Sequence, residues 1–116
     1  MLDIEYYQTA NGNEPVKDFI EGLDTKLQVK TLRSIQLLEE YGNSLREPES
    51  KPLGDGLFEL RASFSRGETR VLYFFWHKNK AVLTHGFIKK SQKTPLREIE
   101  KAKKYRDDYR KKHQAI

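Results

Sequence analysis

LFELRASFSRGETRVLYFFWHKNKAVLTHGFIKKSQKTP, residues 57–95, is the stretch that decides the fold. Phe58, Leu60, Ala62 and Phe64 alternate with Glu59, Arg61 and Ser63, the period of a strand with one face buried. Ser65 to Glu68 reads as a turn, Thr69 to Trp76 as a returning strand, His77 to Lys80 as a second turn, and Ala81 to Ile88 as a third strand. If each four-residue turn closes a simple hairpin, Phe64 faces Thr69 and Trp76 faces Ala81. Ala62 then opposes Val71, Leu60 opposes Tyr73 and Phe58 opposes Phe75, and these share a core face with Val82, Thr84 and Gly86. The other face carries Arg61, Ser63, Arg70, Leu72 and His85, with Arg61, Leu72 and His85 in one cross-strand row and Arg70 diagonal to Arg61. Leu72, Phe74, Trp76 and Leu83 are expected exposed on that cationic face, where either a partner or the last helix covers them.

Working outward, Leu2, Ile4 and Tyr6 alternate with acids as a short strand that Asn11-Gly12-Asn13 ends. A helix is predicted from Pro15 with Val16, Phe19 and Ile20 inward, interrupted at Gly22. A second runs from Asp24 to Tyr41, because Leu27, Thr31, Ile35 and Leu38 recur at helical spacing and Gly42 stands where a C-terminal cap belongs. Asn43 to Asp55, with Pro48 and Pro52, reads as a connecting loop. Thr94 as cap and Pro95 in the first turn begin a last helix whose stripe is Ile99, Ala102, Tyr105 or Arg106, and Tyr109. The expectation is one α+β domain over residues 1–116, ordered β-α-α-β-β-β-α. It has a small, antiparallel-rich twisted sheet packed by the two N-terminal helices, and a basic C-terminal helix.

The chain has 116 residues, 36% hydrophobic and 34% charged, with a net charge of +5. Residues 89–112 hold eleven lysines and arginines against four acids, so the positive charge is concentrated at the C-terminal end. A dense basic segment fits a polyanionic partner, most often nucleic acid, or a solvated helix face. The absence of cysteine removes thiolate chemistry and cysteine-bound zinc, and His77, His85 and His113 have no metal-ligand spacing, so neither a metal nor another cofactor is expected. No apolar run approaches a membrane span, and the N-terminus lacks a signal-peptide pattern, which makes the expected location cytoplasmic with no membrane partner.

No nucleophile elbow, phosphate-binding loop or zinc-helix motif is present. What remains is a set of cations. Arg61 and Arg70 can hold a phosphate and stabilise a pentavalent transition state, because guanidinium donors match phosphate oxygens in a planar fork. His85, or a lysine such as Lys90, can move a proton. The candidate catalytic set is therefore Arg61, Arg70, His85 and Lys90, with Lys89, Lys93, Lys51 and Arg66 as candidate RNA contacts. Together they suit RNA cleavage by the 2′-hydroxyl without a metal. A structural reading stands beside each: Arg61 pairing with Glu59 or Glu68, Arg70 likewise, His85 half-buried beside Leu72, and Lys89-Lys90 as a solvated strand end.

The order of elements, with GLFELR, RVLYFF, HGFIKKSQKTP and EIEKAKKY, resembles the RelE/HigB superfamily of bacterial toxins, in its phage-related branch. The resemblance implies a ribosome-dependent mRNA endonuclease encoded beside a helix-turn-helix, HigA-like antitoxin. Ribosome and mRNA would be its partners, and it would be a monomeric toxin within a toxin–antitoxin hetero-oligomer. Arg61, Arg70, Lys89 and Lys90 match the superfamily's reliance on basic residues in and after the sheet, whereas the role of His85 is left open. The chain lacks the C-terminal tyrosine or histidine some relatives use unless Tyr105, Tyr109 or His113 replaces it. Two other readings remain: a non-enzymatic, ParE-like inhibitor of gyrase, and a non-toxic RNA-binding module on the same fold.

Overall fold

In a computed structural model, which describes residues 1–114, five strands form one sheet in the order β1-β5-β4-β3-β2. The strands are β1 (Asp3–Tyr6), β2 (Ser50–Gly54), β3 (Leu57–Phe64), β4 (Gly67–Trp76) and β5 (Lys80–Ile88). The helices are α1 (Pro15–Glu21), α2 (Thr25–Tyr41) and α3 (Leu96–His113). β1 runs parallel to β5, and every other pair is antiparallel. The α+β class holds, with one strand more than expected. The segment read as a loop contains β2, which lies on the sheet edge, where Pro52 removes no ladder bond that the sheet needs.

α1 and α2 pack on one face of the sheet. Val16, Ile20, Ile35 and Leu38 meet Leu60, Val71, Tyr73, Ala81 and Leu83 there. Asp24 caps α2 by accepting from the Leu27 N–H at 3.0 Å, and Gly42 ends the helix at φ 57, a conformation that favours glycine. Gly86 is required by close approach: a Cβ there would lie 2.7 Å from Cε2 of Phe19, so α1 can cross β5 only over a bare backbone.

α3 covers the opposite face. Ala102 and Tyr109 pack with Tyr7, Leu57, Leu72, Phe74 and Val82. The strip Leu72, Phe74, Trp76 and Leu83 is therefore not an exposed patch. Leu72 and Phe74 lie fully under α3 and Trp76 is partly buried against this cluster, while Leu83 faces α1 and α2. α3 is also pinned by polar contacts: Tyr7 donates to Asp108 at 2.6 Å, Tyr109 to Glu5 at 2.9 Å, and buried Arg106 to Asp55 Oδ2 at 3.1 Å. Hydrogen bonding and charge from Arg106 hold the Asp55 carboxyl below its ordinary range. Pro95, not Thr94, is the cap residue of α3, and the Thr94 hydroxyl donates to Glu59 instead of to the helix.

Two local features correct the expected register. Ser65, at φ 56, reverses the chain within two residues, so Phe64 pairs with Gly67 and Arg61 pairs directly with Arg70. The shift is by two positions, which preserves the faces of β3 and β4. In β5 the register slips between Leu72/His85 and Tyr73/Leu83, leaving Thr84 as a bulge whose hydroxyl donates to the Leu72 carbonyl at 3.0 Å. The bulge turns Val82 to the α3 face and Leu83 to the other, the reverse of the expected arrangement.

Candidate functional site

On the α3 face the pairing gives three successive cross-strand rows. Leu57, Phe74 and Val82 form the first, Lys51, Glu59, Leu72 and His85 the second, and Arg61, Arg70 and Phe87 the third. His85 therefore stands one row away from the arginines, not in a row with Arg61. α3 covers the first row and Leu72 and His85 of the second, so the third lies at its margin, beside the Lys89–Pro95 connection that leads into the helix.

Glu59 organises this margin. It is 2% exposed, and its Oε2 accepts from Arg61 Nε at 3.0 Å and lies 3.4 Å from Arg70 Nε, while Oε1 accepts from the Thr94 hydroxyl. A carboxylate taken out of water is stable only when its lone pairs are filled in this way. Because Glu59 binds both guanidinium groups through Nε, it fixes the direction of both forks. Arg61 keeps its terminal nitrogens nearly free, with Glu47 at 3.9 Å as their ion-pair neighbour. Arg70 is more committed: Nη1 donates to the Thr69 carbonyl at 3.1 Å and Nη2 to Glu68 at 3.3 Å. Glu68 also takes Lys89 Nζ at 3.3 Å. Its partial burial acts to raise the carboxyl pKa, but Lys89 and Arg70 outweigh that and hold it below the ordinary carboxylate value. Glu68 thus stands, as an anion, between Arg70 and Lys89.

Two depressions meet at Arg70. A groove of ≈ 780 Å³ runs over Arg61, Ser63, Glu68 and Arg70 and is flanked by Lys51, Lys89 and Lys93, with the acids Glu47 and Glu49 on its rim. A smaller cavity of ≈ 330 Å³ lies between the end of β5 and the start of α3, with Lys90 and Arg97 on its wall and Lys89 and Lys93 shared with the groove. The structure thus brings Arg61, Arg70, Lys51, Lys89, Lys90 and Lys93 to one surface. It does not bring Arg66, which sits exposed at the β3–β4 turn and lines neither depression.

His85 is also outside both linings. It is 2% exposed, its Nε2 lies 2.9 Å from Glu98 Oε1, and its Nδ1 lies 3.2 Å from the Thr84 hydroxyl. Burial pushes its pKa below the ordinary histidine value against the opposing pull of Glu98, with Lys101 adding to the fall. At neutral pH it is a neutral imidazole that orients Glu98, and Glu98 in turn reaches the smaller cavity. The acids Glu59, Glu68 and Glu98 are the site residues that sequence reasoning missed as such. Glu59 and Glu68 entered it only as alternative partners for an arginine.

Among the described residues no group of three or more histidine, aspartate or glutamate side chains is arranged to hold a metal, and no helix is long and apolar enough to cross a membrane. What the surface can do is bind a phosphodiester and stabilise added negative charge on it. Among curated proteins none matches this chain. Residues 18–107, well over half the sequence, match the family described as phage derived protein Gp49-like (DUF891), and the chain belongs to that family. It is a family of RelE-like toxins of toxin–antitoxin systems.

Proposed function

We propose that this Gp49-like chain is a ribosome-dependent mRNA endoribonuclease, neutralised by a helix-turn-helix antitoxin of the HigA kind. The observation that carries this reading is the adjacent pair Arg61 and Arg70, both aligned by buried Glu59 in a groove that Lys51, Lys89 and Lys93 also line. The scissile phosphate displaces Glu68 and lies between the two guanidinium forks and Lys89. The 2′-oxygen of the RNA forms a bond to phosphorus as the bond to the 5′-oxygen breaks, giving a 2′,3′-cyclic phosphate and a 5′-hydroxyl. Arg61 and Arg70 stabilise the charge of the pentavalent intermediate. Glu68, released from Arg70, accepts the 2′-hydroxyl proton, and Lys90 donates one to the leaving oxygen. His85 contributes by holding Glu98 rather than by touching RNA. A carboxylate is a weak base for this step, so positioning by the ribosome supplies much of the acceleration.

Expressing the wild-type chain without antitoxin tests this, with message ends mapped. The expected result is growth arrest with cuts inside translated messages bearing 5′-hydroxyl ends. Arg61→Ala is expected to slow cutting by about 10²–10³, the usual loss on removing one transition-state donor. Arrest with intact messages and DNA damage would overturn the proposal in favour of gyrase inhibition. Normal growth with intact messages would overturn it in favour of a binding module.

A further inference from the structure

The smaller cavity differs in kind from the groove beside it. Phe87, Ile88 and Pro95 give it apolar walls, whereas the groove is lined almost wholly by charged and polar side chains. Lys89, Lys90, Lys93 and Arg97 stand around the apolar part, and one acid, Glu98, is in the lining. Its ≈ 330 Å³ is at the lower end of the range for sites that enclose a small ligand. Glu98 is fixed there: its Oε1 accepts from buried His85, and Oε2 has Arg97 Nε only at 3.8 Å. His85 engages only Oε1, which leaves the Oε2 lone pairs of Glu98 available to the cavity.

We infer that the cavity formed by Phe87, Ile88, Pro95 and Glu98 is a nucleobase pocket selective for bases that carry an exocyclic amino group. This rests on the reading of the groove as an RNA site and names the part of the substrate that the groove does not read. Single-stranded RNA is recognised by splaying bases onto apolar or aromatic surfaces and hydrogen-bonding their edges. A fixed carboxylate accepts from the amino group of cytosine, adenine or guanine, whereas uracil turns carbonyl oxygens toward it at the corresponding positions. The shared wall of Arg70, Lys89 and Lys93 lets one phosphate in the groove and the neighbouring base in the cavity belong to the same strand. Glu98 acts here as a specificity residue and His85 as the group that positions it.

Cytidine and uridine 5′-monophosphate test the pocket directly, because both carry the same phosphate and differ at the amino position. Each is titrated into the isotope-labelled full chain while the amide signals of Phe87, Ile88 and Glu98 are followed. Cytidine monophosphate is expected to bind about tenfold more tightly than the uridine compound, the low end of what an edge contact of this type discriminates. Glu98→Gln, whose amide both donates and accepts, is expected to erase the preference while still accepting from His85. Equal binding of the two nucleotides to the wild-type chain would overturn the inference, as would inorganic phosphate alone producing the same shifts. A preference unchanged in Glu98→Gln would also overturn it. If Glu98→Gln does not fold, the comparison on the wild-type chain decides, with Phe87→Leu expected to weaken both nucleotides alike. A clear preference in a chain that cuts no message would refute the nuclease reading and leave the pocket standing.

Discussion

Replacing Glu59 by glutamine keeps the shape of the side chain and removes the charge that aligns both arginines. In the wild type two donors and one ion pair converge on this carboxylate: Arg61 Nε at 3.0 Å and the Thr94 hydroxyl donate to it, and Arg70 Nε lies at 3.4 Å as an ion-pair partner. Hydrogen bonds to a charged group contribute about 1.5–3 kcal/mol each, but Arg61 has 24% of its side chain in solvent and recovers part of its loss from water. Arg70 has 6% exposed and recovers less, although Glu68 remains as a partner. The amide oxygen of glutamine still accepts one bond at neutral strength, and its NH₂ group is brought against a guanidinium. The net expected loss is about 2–3 kcal/mol, which for a chain of this size lowers the melting temperature by roughly 10 °C. The assay is urea and thermal unfolding of Glu59→Gln, Arg61→Gln and the double variant. The cycle should return a coupling of about 1 kcal/mol or more between the two positions. A destabilisation below about 0.5 kcal/mol, together with additive single effects, would refute the claim that Glu59 organises the margin.

Three further outcomes follow from other parts of the molecule. Gly86→Ala is expected to lose about 1–3 kcal/mol, because the new Cβ meets the Phe19 ring, and Phe19→Leu in the same chain should restore part of it in chemical denaturation. His85 has a folded pKa below its ordinary 6.5, so the unfolded chain takes the proton first. Its contribution to stability is present above that pH and is lost as pH falls below about 6.5, and His85→Gln should flatten the drop in urea midpoint between pH 7.5 and 5.5. Binding of single-stranded RNA should weaken with salt, and Arg61→Ala should reduce the slope of log K against log salt by about 0.7, the value for one phosphate contact, in fluorescence titrations.

The helices were legible because their information is local. Pro15, Gly22, Asp24 and Gly42 mark ends, and Leu27, Thr31, Ile35 and Leu38 fall on one buried stripe. The faces of β3 and β4 were legible for a subtler reason: the real turn is two residues long, not four, and an error of two positions leaves side-chain parity unchanged. What the error does change is which residues are opposite one another. Arg61 therefore meets Arg70 directly, and His85 falls into the row of Glu59. The bulge at Thr84 was not legible, since nothing in AVLTHGF marks where one residue drops out of the ladder, and it interchanges the environments of Val82 and Leu83. β2 was hidden by Pro48 and Pro52, residues that mark loops in most contexts and that an edge strand tolerates.

The acids of the site were the least legible part, and they change its meaning most. Arg61 does pair with Glu59 and Arg70 with Glu68, so the structural reading of each arginine holds, yet both stand at the head of the cationic groove. The two readings are compatible because the acids are unequally placed. Glu59 is buried and binds the forks from behind through Nε; Glu68 has 43% of its side chain in solvent and binds Arg70 through a terminal nitrogen. A ligand can displace Glu68 at modest cost, whereas displacing Glu59 would strand a buried charge. A polyanion entering the groove therefore exchanges one exposed anion for another and gains less than the number of cations implies. On the proposed function, that modest intrinsic affinity fits a site that acts on RNA already held in place by a larger assembly.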